Sequence, residues 1–216
     1  LSLGSAFRYP VNAIFSAQGA VRIVRELFLH GGPLSVRELV ARTGLTRKSV
    51  YVVIDSLQSL GVVRRVGSAY TGLYEAADDH PLSPMLSDLF SAENARVRDA
   101  YAEIRRAAEE VSPAPMAVWL YGSVARGEDT AASDFDLAVC ADDNEVEDAA
   151  DALREVLRPV GEHLRLRFSV VGLSPRDVVG LAADQDPFWT GLARDAHAMY
   201  GPEPEDVLRA HQRGDG

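Results

Sequence analysis

Apolar residues at Ala20, Val21, Val24, Leu27 and Phe28 recur at the spacing of one helical face across residues 16–30, and Gly31-Gly32-Pro33 then stops the helix. Ser35-Val36-Arg37-Glu38 has the capping-box pattern and opens a short helix through Ala41. Thr43-Gly44-Leu45 turns the chain, and Thr46 caps a third helix that runs to about Leu60. In that helix Val50, Val53, Ile54 and Leu57 form the buried stripe, which leaves Arg47, Lys48, Tyr51 and Asp55 outward. A short helix, a glycine turn and a longer helix make a helix-turn-helix arrangement. Residues 62–66 and 70–75 then flank Gly67-Ser68-Ala69 as a predicted hairpin, with Arg64 and Arg65 on its first arm.

Residues 76–84 read as a loop, and residues 85–111 as one long helix whose apolar side carries Leu86, Leu89, Phe90, Val97, Tyr101 and Ile104. Ser112-Pro113-Ala114-Pro115 ends it. Beyond it come an apolar strand at 116–121, a β-branched and aromatic strand around 134–139, an acidic amphipathic helix at 144–158 and an alternating strand at 164–171. Ser174-Pro175 opens a further helix, and residues 186–196 pack across the sheet, with Phe188, Trp189 and Tyr200 assigned to the core. The fold class is α+β, in three segments: 1–80, a connecting helix at 81–113, and 114–216, a small mixed sheet with helices on one face. A connecting helix of this length serves as a spacer or as the seam of a homodimer.

Charge divides the chain unevenly. Residues 1–74 carry nine Lys/Arg against three acidic residues, whereas residues 75–216 carry 13 against 29, within an overall net charge of −10. A basic module joined to an acidic one implies different partners for the two. A composition of 47% hydrophobic and 25% charged residues is that of an ordinary globular protein. No run of about 18 apolar residues and no signal-peptide pattern occurs, so no membrane partner is expected and the expected location is cytoplasmic. The one cysteine, Cys140, reads as a small buried residue, and the five histidines lack metal-ligand spacing, so no zinc site is expected.

The densest chemistry lies in Tyr121-Gly122-Ser123-Val124-Ala125-Arg126-Gly127-Glu128, followed by Ser133-Asp134-Phe135-Asp136-Leu137. On a strand, Asp134 and Asp136 point the same way while Phe135 and Leu137 point to the other face. Two like charges so close repel unless a cation lies between them, and Mg²⁺ (or Mn²⁺) is typically held by one or two carboxylates together with substrate phosphates. The Gly122-Ser123 bend can bring backbone N–H groups and a hydroxyl to those phosphates. The pattern predicts a nucleoside triphosphate site, with the Gly122-Ser123 bend at the phosphates and a cation held by Asp134 and Asp136.

This motif, an apolar residue, Gly-Ser, ten residues, then Asp-apolar-Asp-apolar, resembles the minimal members of the DNA polymerase beta-like nucleotidyltransferase superfamily. The resemblance implies magnesium-dependent transfer of a nucleoside monophosphate from a nucleoside triphosphate to a hydroxyl or similar acceptor, with release of pyrophosphate. By it Asp134 and Asp136 are the catalytic metal ligands, Gly122 and Ser123 are nucleotide contacts, and Arg126 is either a phosphate contact or the partner of Glu128. It also implies a third carboxylate on a neighbouring strand. Aligning residues 168–171 with that habit puts Ser169 in the place, with Arg165 and Arg167 on the same face and Glu162 as an alternative carboxylate. This departure bears on catalysis more than on ligand binding.

The N-terminal texture, with residues 38–45 and 57–63 and the basic hairpin, resembles a winged helix-turn-helix domain. By that resemblance Arg47, Lys48, Ser49 and Tyr51 approach the DNA major groove, and Arg64 and Arg65 lie near the backbone or minor groove. Two readings of the whole chain follow: a nucleotidyltransferase with a DNA-binding module, or a DNA-binding transcription regulator whose transferase-like domain binds nucleotide without turnover. In a third, the winged helix serves only assembly.

Overall fold

The computed structural model describes residues 9–67 and 72–212, and the chain divides into two compact units, Leu1–Ala95 and Arg96–Gly216. The division falls inside a helix of 28 residues, α5, which contributes to the core of each unit.

In the first unit, α1 (Pro10–Ile14) and α2 (Gln18–His30) precede a two-residue strand, β1 (Leu34–Ser35), then α3 (Val36–Thr43), α4 (Arg47–Ser59), β2 (Val63–Val66) and β3 (Leu73–Ala76), after which α5 (Ser83–Glu110) begins. The capping box forms as its spacing predicts: Ser35 Oγ accepts from Glu38 N, and the Glu38 carboxylate accepts from Ser35 N at 2.8 Å. Those bonds hold the Glu38 carboxyl below the ordinary range. Thr46 caps α4 by accepting from Ser49 N at 3.2 Å. The three strands form an antiparallel sheet in the order β1-β3-β2, with Val66 opposite Leu73 and Val63 opposite Ala76. The expected hairpin turn, and Tyr70 in its second arm, lie outside the described residues. Ile23, Val24, Leu27, Leu39, Val50, Ile54 and Leu57 build the core, and Phe90 of α5 closes it against the rings of Phe15 and Phe28. The stripe of α4 is the predicted one, with Val53 only half-buried.

The second unit contains β4 (Ala117–Tyr121), α6 (Gly122–Ala125), β5 (Phe135–Cys140), α7 (Val146–Leu164), β6 (Phe168–Leu173), α8 (Pro175–Ala183), α9 (Pro187–Asp195), β7 (His197–Tyr200) and α10 (Pro204–Gln212). The sheet order is β6-β5-β4-β7, with β5 and β6 parallel and the other pairs antiparallel. The hydrophobic pattern predicts helices on one face of this sheet; the structure packs them on both. Val118, Leu120, Leu137 and Val139 meet α7 and the end of α5, while Ala117, Trp119, Ala138 and Cys140 meet α8, α9 and α10. The reason is visible in β4 and β5 themselves, whose apolar runs do not alternate with polar residues, as expected of strands covered on both sides. Strand β6 begins at Phe168 rather than 164 because α7 continues to Leu164 and ends on Arg165 in the left-handed conformation. Among the described residues no helix is long and apolar enough to cross a membrane.

Trp119 is fully buried, and its indole N–H donates to Pro202 O at 2.7 Å. Next to this bond Gly201 has φ +71°, and a Cβ there would overlap the Met116 carbonyl oxygen and lie 3.0 Å from Ala117 Cα. Gly201→Ala is therefore expected to destabilise the second unit by more than the about 1–2 kcal/mol of a left-handed non-glycine residue. A thermal melt read by Trp fluorescence should show this as a fall in Tm of several degrees.

Candidate functional site

β4 runs directly into the Gly122-Ser123 bend, and β5 runs back beside it carrying Asp136, with Asp134 at its entry. Alternation along β5 puts Asp134 and Asp136 on the face of Ala138 and Cys140, which α8 and α9 cover further down the strand. Asp136 has Tyr121 as its antiparallel partner and Ser169 as its parallel partner. The bend is pressed against the carboxylate: Gly122 has φ +77°, and a Cβ there would overlap Oδ2 of Asp136 and come within 3.1 Å of its Cγ. The fold thus brings the motif's two halves into contact.

Burial first, and the neighbouring Asp134 charge second, push the Asp136 carboxyl above the ordinary carboxylate range, with Arg126 pulling the other way. The Tyr121 hydroxyl is likewise raised, by burial and then by Asp136. Asp134 Oδ1 lies 2.7 Å from Arg167 Nε, yet no N–H points along that line, so this buried oxygen has a charge contact and no hydrogen bond. An unsatisfied buried carboxylate oxygen beside a second carboxylate whose ionisation is opposed is a donor set suited to a divalent cation.

A third carboxylate does not join them. Ser169 stands beside Asp136, Glu162 is exposed on α7, and among the described residues no group of three or more His, Cys, Asp and Glu is placed to hold a metal ion. Arg126 pairs with Glu128 at 2.8 Å and approaches Asp195 at 3.7 Å. Asp195 escaped sequence reasoning because it lies at the end of α9, far along the chain from the motif, and nothing in its local pattern marks it. Cys140 is fully buried, its thiol pushed up to about 12 chiefly by that burial.

In the first unit, Arg47 and Lys48 are exposed at the start of α4, with the Arg47 guanidinium 5.8 Å from the Tyr51 ring centroid. Tyr51 and Val52 are large exposed residues on the same helix. The Ser49 hydroxyl is 2.9 Å from that of Thr46. On β2, Arg64 and Arg65 are both exposed, and Arg64 is held by Glu75 at 2.7 Å and by Asp78 at 2.6 Å.

Residues 103–181 match the profile of the family described as Polymerase beta, Nucleotidyltransferase, and so carry a nucleotidyltransferase domain. That stretch includes the Gly-Ser bend, both aspartates and Ser169. Among solved structures, a chain described as "Crystal structure of the toxin-antitoxin with AMP-PNP" is similar at 16% identity and a TM-score of 0.33, over 53% of this chain and 89% of that one. A likeness that slight carries no functional argument. No curated protein matches the sequence.

Proposed function

We propose that the second unit is a magnesium-dependent nucleotidyltransferase that moves a nucleoside monophosphate from a nucleoside triphosphate to an acceptor hydroxyl. The observation that carries this reading is the packing of the Gly122 bend against the Asp136 carboxylate, within the stretch that matches the nucleotidyltransferase profile. Asp134 and Asp136 hold the divalent ion, which when bound neutralises phosphate charge. Gly122 N–H and the Ser123 hydroxyl receive the terminal phosphates. Arg126 becomes a phosphate contact by exchanging its Glu128 and Asp195 partners for phosphate oxygens. The acceptor oxygen bonds to the α-phosphorus, the bond from that phosphorus to the bridging oxygen breaks, pyrophosphate leaves with the bonding electron pair, and the acceptor's proton passes to solvent.

One observation favours a second reading, a nucleotide sensor without turnover: Ser169 lies beside Asp136 where the resemblance calls for an acid. Incubation with α-labelled nucleoside triphosphates, Mg²⁺ and cell extract separates the two. Magnesium-dependent transfer of label to an acceptor supports the transferase; binding of nucleotide with no transferred label supports the sensor.

We also propose that the first unit is a winged helix-turn-helix module that binds DNA, with Arg47, Lys48, Ser49 and Tyr51 of α4 toward the major groove and Arg64 and Arg65 toward the backbone or minor groove. The helical order, the antiparallel hairpin and the exposed basic start of α4 support it. Arg64 is already neutralised by Glu75 and Asp78, so its share is smaller than that of Arg47 or Lys48. Arg47→Ala with Lys48→Ala is expected to lower the slope of log affinity against log salt by about 2, one phosphate contact per residue, whereas Arg64→Ala changes it little. Fluorescence anisotropy of labelled duplex DNA between low and physiological salt measures both.

A further inference from the structure

The parallel ladder between β5 and β6 pairs Phe135 with Phe168 and Asp136 with Ser169, and Phe135 N donates to Arg167 O at 2.8 Å just ahead of it. Alternation then sets Asp134 and Asp136 on one strand, and Arg167 and Ser169 on the next, on one face of the sheet. The placement of Arg167 beside Asp134 is thus a consequence of strand register. Its guanidinium is tied at a second point, donating from one terminal nitrogen to Ala132 O in the loop that leads into β5. The remaining contact is the 2.7 Å approach of Nε to Asp134 Oδ1.

We propose that Arg167 is the standing counter-cation of Asp134, so that the carboxylate pair takes one divalent ion and not two. The inference rests on the nucleotide-site reading above and adds to it the number of ions and the two features that together limit it, the Arg167 charge on Asp134 and Ser169 in the place of an acid. A second ion on Asp134 needs a further carboxylate to offset its charge; the structure offers Ser169 on that strand and a positive charge two residues before it. A guanidinium and a second divalent ion sharing Asp134 would repel each other. A permanently charged arginine does part of the neutralising work of that ion without needing to be recruited from solution. Arg167 is here a positioning residue, acting through Asp134.

Mn²⁺ titration of the full chain, followed by the electron paramagnetic resonance of the free ion, tests it. Wild type should take up one equivalent, and Asp136→Asn should lose it. Arg167→Gln should keep one equivalent and bind it about fivefold more tightly, the upper end of what an exposed ion pair is worth. Arg167→Lys, which retains the charge, should stay near wild type. The Arg167 side chain is 67% exposed, so neither change disturbs the core. Two equivalents in wild type, or Arg167→Gln binding no more tightly than wild type, overturns the inference and leaves the nucleotide site standing. Absence of any uptake sensitive to Asp136→Asn overturns both.

Discussion

Replacing both aspartates, Asp134→Asn with Asp136→Asn, should lower magnesium-dependent nucleotide affinity by at least about a hundredfold, each lost charged ligand being worth on the order of 1.5–3 kcal/mol. The same double variant should melt no lower than wild type. The Asp136 carboxyl is raised above its ordinary value by burial and by Asp134, so its ionised form is disfavoured in the folded chain relative to the unfolded one. That penalty is absent at a pH below the unfolded-state value, accumulates as the pH rises towards the folded-state value, and is present in full above it. An amide removes it. Loss of function with unchanged or higher Tm is the signature of a site held in tension for its ligand. Calorimetric titration with nucleoside triphosphates in Mg²⁺ and in EDTA, beside thermal melts, reads both effects. Retained magnesium-dependent binding in the double variant would remove the basis of the proposed function.

Gly122→Ala should do more damage than any other single methyl in the motif. The backbone there is left-handed, at φ +77°, which costs a residue with a Cβ about 1–2 kcal/mol. The added Cβ also overlaps Asp136 Oδ2, so either the carboxylate swings aside or the bend opens. Moving the carboxylate displaces a metal ligand; opening the bend displaces the phosphate contacts. Nucleotide affinity should therefore fall at least as far as in Asp136→Asn, accompanied by a lower Tm. Gly127→Ala is the control, because it shares the left-handed conformation, at φ +65°, and no atom lies within 4 Å of its added Cβ. It should lose stability by the backbone cost and keep nucleotide affinity near wild type.

Much of this site was legible beforehand because its determinants are local. A glycine, a serine and two carboxylates at fixed spacing restrict the backbone and concentrate charge whatever surrounds them, and they are joined by a single strand return. The helix caps at Ser35 and Thr46 were readable for the same reason, since each bonds only to atoms three residues away. The short strand β1 and the strand β7 were missed. β1 is two residues long and β7 four, too few for a period-two pattern to stand out, and each exists through pairing with a strand distant in sequence.

The amino-acid sequence by itself determined the motif, the conflict between its two carboxylates, and a serine on the strand where an acid was expected. All of these follow from side-chain chemistry and the two-residue period of a strand. Only the tertiary structure decided that Arg167 abuts Asp134, that Asp195 joins Glu128 around Arg126, that Arg64 is spent on Glu75 and Asp78, and that helices cover both faces of the sheet. Charge pairing across strands and helices depends on register and packing, and those are set by the fit of whole apolar faces against one another, which no short stretch of chain contains.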